Sequence, residues 1–275
     1  MTAGTVRTPL DTFKFFLRKF LLVILGALVV FPLIYMLSSS LFRASDFNNL
    51  RLFPQSPAFG NYVKALSHRY FGYYIVNSVM TSLLSALLRS AVVIPAAFAF
   101  THLRFRGRRF MLAALVLTLF VPQEAILYQN YRTVAALGLI DTWAGIISTG
   151  LFSAAQMLLL MGAFAAVGNE PYDAARIDGA SDLRYMAGVL VPLTGPVVLT
   201  MAIQTLITSF NSYLWPLLVT NRPQTRTIQV GITMLGFAES GDTGAQMAAL
   251  TMVTLPFLVV LALAKKRIEA ALIRS

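Results

Sequence analysis

The sequence contains no cysteine and only two histidines, His68 and His102. A chain without cysteine has no disulfide bond, no thiolate metal site and no cysteine nucleophile. Two histidines are also too few for a histidine-based metal centre, so we expect no metal site. No grouping of nucleophile, base and stabilising residue stands out either, and we therefore expect no catalytic residues in this chain.

Charged residues are also scarce, at 12% of the 275 residues, whereas 57% of the residues are hydrophobic. A soluble domain has about 25% charged residues, and the mean hydropathy of this chain is +0.71. The composition therefore predicts a membrane protein. Lysine and arginine outnumber the acids by 22 to 11, but they are distributed over short loops, which argues against a nucleic-acid partner.

Long apolar runs account for most of the chain, and each is close to the roughly 20 residues that a membrane-spanning helix needs. They predict an all-α, polytopic membrane protein with six transmembrane helices, at 20–42, 73–100, 110–128, 143–167, 197–219 and 246–264. The predicted parts are a cytoplasmic segment at 1–19, a membrane domain at 20–264 and a short cytoplasmic tail at 265–275. The first run is long for a signal peptide and five more follow, so we interpret it as an uncleaved helix.

The basic residues predict the orientation, because cytoplasmic loops of membrane proteins are rich in lysine and arginine. With the N-terminus in the cytoplasm, the inward-facing segments hold twice as many basic residues as the outward-facing ones. The inward set is Arg7, Lys14, Arg18, Lys19, Arg104, Arg106, Arg108, Arg109, Arg176, Arg184, Lys265, Lys266, Arg267 and Arg274. Both termini and the loop at 168–196 are therefore predicted to be cytoplasmic.

Arg89 is the one basic residue placed inside a predicted span. A charge at that depth is costly, so it is expected to be paired or to face a cavity. Glu124, near the end of the third span, is a potential partner. Two interpretations of Arg89 stay open: it supports packing inside the protein, or it lies on a solute path.

The loop EPYDAARIDGASDLRYMAGVLVP is unusually polar for this chain. Pro171 suits the first turn of a helix, and Asp173 lies where the helix dipole favours a carboxylate. Gly179 is a typical left-handed stop, and Ser181 or Asp182 can cap a second short helix. The pattern predicts a helix, a sharp turn and a helix at the cytoplasmic face, which suits a docking element for a cytoplasmic partner.

The same loop resembles one shared by the membrane subunits of bacterial ABC importers. That pattern is Glu-Ala-Ala, three residues, glycine, nine residues and then Ile-x-Leu-Pro. Here it corresponds to Asp173-Ala174-Ala175, Gly179 and Val189 to Pro192. Asp173, Val189 and Val191 depart from the pattern but keep its charge or apolar character. The form AARIDGAS is typical of carbohydrate importers.

Further segments resemble the second permease subunit of sugar and glycerol-phosphate importers. They are FGNYVKAL, AAFAFTHLRFRGRR, LGLIDTWAGII and SFNSYLWPLLVT, so the resemblance covers nearly all of the chain after about residue 20. It implies the type I ABC importer permease fold and a multi-pass location in the bacterial cytoplasmic (inner) membrane, in contact with lipid.

The chain has no G-x-x-x-x-G-K-[ST] motif with which to hold nucleotide phosphates. The resemblance implies that partner subunits supply this function. Two partner ATPase subunits are expected to use ATP and Mg, so this chain is expected to bind no cofactor and to be non-catalytic. A second permease subunit would complete a heterodimer, and an extracytoplasmic solute-binding protein would deliver the solute. The residues expected to couple to the ATPase are Asp173, Ala174, Ala175, Asp178, Gly179 and Pro192.

Polar and aromatic residues in or beside the spans are candidates for the solute path, because such residues are costly in lipid. They are Asn77, Gln123, Glu124, Gln204, Asn211, Tyr213 and Trp215. Aromatic rings could stack on a sugar and amides could bond its hydroxyls. The same residue types also occur at membrane interfaces and between packed helices. An ion-driven secondary transporter of a small polar solute is the alternative interpretation; that class often carries paired acids in broken helices.

Overall fold

The computed structural model describes residues 9–235 and 242–273, and every regular element in these ranges is helical. This confirms the all-α prediction. The α-helices are α1 (Pro9–Ser39), α2 (Ala44–Asn48), α3 (Gly60–Ser67), α4 (Phe71–His102), α5 (Arg108–Leu117), α6 (Leu127–Ala136), α7 (Trp143–Ile147), α8 (Ala154–Val167), α9 (Glu170–Ile177), α10 (Asp182–Tyr185), α11 (Val191–Leu193), α12 (Gly195–Phe210), α13 (Leu214–Val219), α14 (Ile228–Met234) and α15 (Thr243–Ile273).

Two described helices are long and apolar enough to cross a membrane, at Leu17–Ser39 and Phe71–His102, and they match the first two predicted spans. Three pairs of helices are sharply bent, and if each pair is one span the number of spans rises to five. The pairs and their bends are Arg108–Phe120 with Gln123–Ala136 (95°), Trp143–Gly150 with Ala154–Val167 (57°), and Asp182–Leu193 with Gly195–Phe210 (86°).

The sixth predicted span, 246–264, lies within α15 and stays a prediction, as do the cytoplasmic termini and the boundaries of the predicted domain. Arg7 and Arg274, two of the basic residues that predict the orientation, lie outside the described residues.

The backbone breaks three of the runs that the sequence predicts as single helices. Val121 is extended because Pro122 follows it. Proline lacks an N–H and disfavours the helical conformation in the residue before it. In the run 143–167, Ser153 is extended and its hydroxyl accepts the N–H of Gln156 at the start of α8. In the run 197–219, α12 ends at Phe210 and the chain resumes as α13.

The described chain divides into two compact units, of which the first comprises described residues of Met1–His68 and Met234–Val259. Its first irregular segment is held by buried Asn61, whose Nδ2 donates to the carbonyl oxygens of Ser40 and Phe42, both at 2.9 Å. Lys64 Nζ and Asp242 Oδ2 form an ion pair at 2.7 Å. These contacts order a stretch that the apolar pattern alone leaves without structure.

The second unit comprises Arg69–Thr233 and the described residues from Val260 onward. The long helix α4 packs against α8 and α12. Apolar side chains of these three helices form one core together with side chains of the segment 185–190. The buried members are Val93, Ala97, Phe98, Phe100, Met157, Leu160, Phe164, Tyr185, Met186, Leu190 and Met201.

Asp141 joins two loops of this second unit. Its Oδ1 accepts the N–H groups of Asn221 and Arg222 at 2.7 and 2.9 Å and the hydroxyl of Thr225 at 2.8 Å. Its own N–H donates to the carbonyl of Val219 at 2.9 Å. Burial raises the pKa of the Asp141 carboxyl. The hydrogen bonds from Arg222, Thr225 and Asn221 together lower the pKa by more than burial raises it, so the pKa lies below its ordinary value.

We expect Asp141→Asn to lower the melting temperature by a few degrees at neutral pH, because a charged acceptor is replaced by a neutral one at a cost of about 1–2 kcal/mol. A depressed folded-state pKa gives stability that is present above the ordinary carboxyl pKa and lost as the pH falls through the folded-state value. The difference between wild type and variant should therefore shrink as the pH falls into that acidic range. The exposed Asp178, changed to asparagine, is the control and should show no such difference. A gap that stays constant over the whole pH range would contradict this role of Asp141.

Candidate functional site

The predicted helix–turn–helix at 170–192 is confirmed in its local geometry. Pro171 lies in the first turn of α9, and Gly179 adopts a left-handed conformation with φ of +77° directly after the helix. The N–H groups of Gly179 and Ala180 return to the carbonyls of Arg176 and Ala175, at 3.1 and 2.9 Å. Such bonds satisfy the carbonyls that a helix end leaves free. The next helix, α10, begins where the hydroxyl of Ser181 accepts the N–H of Arg184.

The residues predicted to couple to an ATPase lie on α9, on the turn after it and on α11. Asp173, Ala174 and Ala175 belong to α9, while Asp178 and Gly179 form its turn. All of these are exposed except Ala175, which is half-buried. Pro192 lies further along the chain, in α11. Their coupling role stays a prediction.

Two large apolar side chains of this segment are almost fully exposed, Ile177 at 87% and Leu183 at 69%. They lie in a stretch that also carries four acids and two arginines. We call the exposed surface made by Ala174, Ile177, Gly179 and Leu183 the loop patch. Exposed apolar side chains with a polar rim are typical of a protein contact surface.

An aromatic cluster joins α9 to the end of α4. Tyr172 of α9 lies 5.3 Å from the ring of His102 and 6.2 Å from that of Phe98, between ring centroids. Tyr185 lies 5.0 Å from Tyr172 and is almost completely buried. Edge and tilted contacts at these distances are favourable, so the helix that carries Asp173 is packed directly onto the long helix α4.

A small polar network holds the two short helices together. The hydroxyl of Tyr172 donates to Asp182 Oδ1 at 2.8 Å, and Arg176 Nη1 donates to the Tyr172 hydroxyl at 3.2 Å. Arg176 and Asp182 also form an ion pair at 3.5 Å. Because this pair is exposed it contributes little stability by itself, and the tyrosine hydroxyl is the central group.

We expect Tyr172→Phe to loosen the loop without unfolding the protein. The ring keeps its place against His102, but a net hydrogen bond of about 1 kcal/mol is lost. Amide hydrogen exchange across residues 173–184 should therefore quicken about fivefold, while the melting temperature changes little. Tyr172→Ala removes the ring as well and should increase exchange at the end of α4 too. Unchanged exchange in Tyr172→Phe would contradict the central role of the hydroxyl.

A cavity of about 970 Å³ lies within the second unit. Its walls come from α4, the broken segment around Pro122, the stretch from α7 to α8, and the stretch from α12 to α13. The polar members of the wall are Ser85, Arg89, Thr118, Gln123, Thr149, Ser153, Gln156, Gln204, Thr208, Ser209, Ser212 and Trp215. A concave cavity of this size that carries polar groups is typical of a site for a small molecule.

Three of the residues predicted on the solute path line this cavity: Gln123, Gln204 and Trp215. Gln204 is linked to Gln156, whose Nε2 lies 3.3 Å from Gln204 Oε1 and 3.1 Å from the hydroxyl of Thr205. Trp215 is 9% exposed, and its Nε1 donates to the carbonyls of Gly145 and Ile146. Trp215 therefore forms part of the wall while its Nε1 is already bonded.

The other four predicted residues, Asn77, Glu124, Asn211 and Tyr213, do not line this cavity. Asn77 is buried and uses its whole amide group: Nδ2 donates to the carbonyls of Gln224 and Arg226, and Oδ1 accepts the Nε1–H of Trp143. Asn211 bonds Ile207 and Gln229, while Glu124 and Tyr213 are exposed. Asn77 thus connects α4 to the loop that contains Gln224 and Arg226.

Several wall residues were absent from the predicted solute path, notably Ser85, Gln156, Thr208 and Ser209. Ser85 and Ser209 join α4 to α12 through their hydroxyl oxygens, 3.2 Å apart. A sequence signal existed for α4, because Ser78, Ser82, Ser85 and Arg89 recur at spacings of three or four residues and so share one side of a helix.

Arg89 also belongs to the cavity wall, as expected for a charge that must be paired or face a cavity. Whether it supports packing or lies on a solute path stays open. Its Nε donates to the carbonyl of Gly150. Glu124 is not its partner in the structure, since no ion pair joins them within the described residues. In the same described ranges no group of histidine and acidic side chains is arranged to hold a metal ion.

Comparison with known families gives a match over residues 12–274 to the model described as binding-protein-dependent transport system inner membrane component. The sn-glycerol-3-phosphate transport system permease protein UgpE of Brucella suis biovar 1 (strain 1330) is 30% identical over 253 residues, which is 87% of this chain and 90% of that protein. The sulfoquinovosyl glycerol transport system permease protein SmoH of Agrobacterium fabrum (strain C58 / ATCC 33970) is 26% identical, over 98% of this chain and 97% of that protein.

Among solved structures, one chain of a bacterial ABC transporter involved in the import of the acidic polysaccharide alginate has a TM-score of 0.85 at 22% identity, covering 96% of this chain and 99% of that one. A chain of a bacterial alginate ABC transporter, in complex with a periplasmic protein bound to alginate pentasaccharide, has a TM-score of 0.65 at 14% identity over 94% of each chain. At these identities the likeness shows the fold alone.

Proposed function

The chain belongs to the family of binding-protein-dependent transport system inner membrane components, and from this premise we propose that it is a permease subunit of an ATP-driven importer for a sugar, polyol or glycerol-phosphate solute. The family match over nearly the whole chain carries the proposal. The named relatives serve sn-glycerol 3-phosphate and sulfoquinovosyl glycerol, which supports a polyol or sugar derivative as the solute.

The partners follow from the same premise. The chain contains no phosphate-binding glycine-lysine motif, so two separate ATPase subunits hydrolyse ATP with Mg. A second permease subunit forms the other half of the translocation path. The alginate transporter solved with its periplasmic protein supports an extracytoplasmic binding protein as the donor of the solute.

The loop patch is the proposed contact with one ATPase subunit. Its exposed Ile177 and Leu183 are apolar enough to bury, and the small Ala174 and Gly179 let another backbone approach closely. The surrounding charges of Asp173 and Arg176 fit a polar rim. Burial of such a surface against a partner protein removes its apolar side chains from water, which is favourable in free energy.

The aromatic cluster supplies a direct route from this contact to the cavity. A displacement of α9 acts on Tyr172, which packs on Phe98 and His102 at the end of α4. The same helix carries Ser85 and Arg89 into the cavity wall. One continuous helix that touches both places can couple ATPase closure to a change in cavity access.

The composition of the cavity wall argues against the alternative, an ion-driven secondary transporter. That class often uses acidic side chains near its ion and solute sites. Among the described residues that line the cavity, none is a carboxylate, and Glu124 lies outside the wall.

Coupling can be tested with Gly179→Val in the purified complex with its ATPase and permease partners. A valine in the left-handed conformation costs at least about 1–2 kcal/mol, so the turn should change shape and the loop patch should no longer fit. We expect the variant to insert in the membrane and to retain ATPase activity, while uptake of the solute found on the co-expressed binding protein falls at least tenfold in proteoliposomes.

Gly188→Val is the matched control, because Gly188 is also exposed and free of close neighbours but lies in a helical turn. It should keep most of the uptake. Normal uptake by Gly179→Val would contradict the coupling proposal. A chain that purifies without ATPase subunits and moves solute in liposomes without ATP would overturn the importer proposal as a whole.

A further inference from the structure

We propose that Arg89 makes the cavity an anion-binding site, so that the solute it accepts carries a phosphate, sulfonate or carboxylate group beside its hydroxyls. This inference rests on the proposed function, because it specifies the solute of the same importer. The cavity of about 970 Å³ and its wall belong entirely to the second unit, within residues 85–215.

The charge balance of the wall is the first argument. Among the described residues that line the cavity, Arg89 is the one charged side chain, and all the others are neutral. None of the ion pairs found in the described ranges includes Arg89. A guanidinium stays protonated, and a partly buried charge without a counter-charge is unfavourable. An anion inside the cavity would supply the missing negative charge.

The orientation of the guanidinium is the second argument. One donor, Nε, is used by the carbonyl of Gly150. A Cβ on Gly150 would lie 3.2 Å from Arg89 Nη2, so the guanidinium packs against a backbone that has no side chain at this point. No protein acceptor within the described residues bonds the two Nη groups, which leaves the donors that suit the paired oxygens of a phosphate or carboxylate.

Neutral hydrogen-bonding groups surround this charge and suit the rest of such a solute. Ser85 lies one helical turn before Arg89 on α4 and meets Ser209 of α12. Gln204 and Thr208 are exposed on α12 at a spacing of four residues, and both line the cavity. Hydroxyl and amide groups at these positions can bond the hydroxyls of a polyol while Arg89 bonds its anionic end.

A carboxylate of the second permease subunit is the competing source of negative charge. It would neutralise Arg89 in the assembled importer and leave a cavity for neutral solutes. The two cases differ in the electrostatic potential inside the cavity of the complete complex, and this potential is measurable because the chain contains no cysteine of its own.

The test introduces one cysteine, Thr149→Cys, which is exposed, lines the cavity and neighbours Gly150. In the complete complex, its rate of modification is measured with two thiosulfonate reagents of similar size, one carrying a sulfonate and one a quaternary ammonium. Intact-mass spectrometry of this chain alone separates its label from any on partner subunits. The same rates are measured with Arg89→Gln, with Arg89→Lys and with Arg132→Gln, which removes an exposed arginine outside the wall.

After each rate is divided by that reagent's rate with a free thiol in solution, we expect the anionic reagent to be favoured at least about tenfold. The reason is that a unit charge about 8 Å away across a medium of dielectric constant about 40 changes each rate about fivefold in opposite directions. Arg89→Gln should abolish this preference, whereas Arg89→Lys and Arg132→Gln should retain it. In the Thr149→Cys protein with Arg89 unchanged, sn-glycerol 3-phosphate should slow modification more than equimolar glycerol does. Arg89→Gln should remove that difference.

Equal relative rates for the two reagents in the complete complex, or a preference for the cationic one, would overturn the inference and indicate a neutralising carboxylate. Equal protection by glycerol and sn-glycerol 3-phosphate would overturn it as well. The proposed importer function is judged separately, by whether the binding protein stimulates ATP hydrolysis in the same preparation. A complex with normal stimulation but no reagent preference therefore contradicts the anion site and leaves the importer proposal standing.

Discussion

The packing of α4 against α8 and α12 is the constraint on which the rest of the second unit depends. Over its 32 residues α4 continues through Pro95 as a single helix, whereas its neighbours are broken. Its apolar side chains enter the core, its polar residues join the cavity, and its last turn meets Tyr172 of α9. One continuous helix therefore connects the loop and the cavity.

The broken helices have a common physical logic. Backbone that leaves the helical conformation at membrane depth exposes polar groups, which are tolerated where they are buried in protein or line a cavity. Each of the three breaks within the predicted runs contributes to the cavity wall, through Val121, through Phe152 and Ser153, and through Ser212. The interruptions therefore contribute part of the wall of the polar cavity.

Sequence reasoning predicted the parts of this structure that depend on local chemistry. The spans at 20–42 and 73–100 and the turn at Gly179 were predictable, because hydropathy and a left-handed glycine are local signals. The breaks were not, since a run such as 197–219 keeps an apolar composition across the change in backbone. The hydrogen bonds of Asn77 could not be predicted from the sequence either, because its partners Gln224 and Arg226 lie about 150 residues away along the chain.

For the cavity, the sequence indicated residue types more successfully than positions. Gln123, Gln204 and Trp215 line the cavity, but Asn211 and Tyr213, close neighbours of Trp215 in the sequence, do not. The reason is the break at 211–213, which turns the chain between α12 and α13 and so changes which side chains share a face. No helical periodicity extends across such a break, and therefore no pattern could have separated these residues.

The network around Tyr172 has a consequence for the thermodynamics of assembly. The hydrogen bonds to Asp182, the Ser181 cap and the turn at Gly179 already hold the loop in one conformation. Ala174 and Gly179 have no side-chain rotamers to lose when they are covered. A partner that binds the loop patch therefore loses little conformational entropy in ordering this loop. A larger part of the free energy gained by burying apolar surface then contributes to affinity.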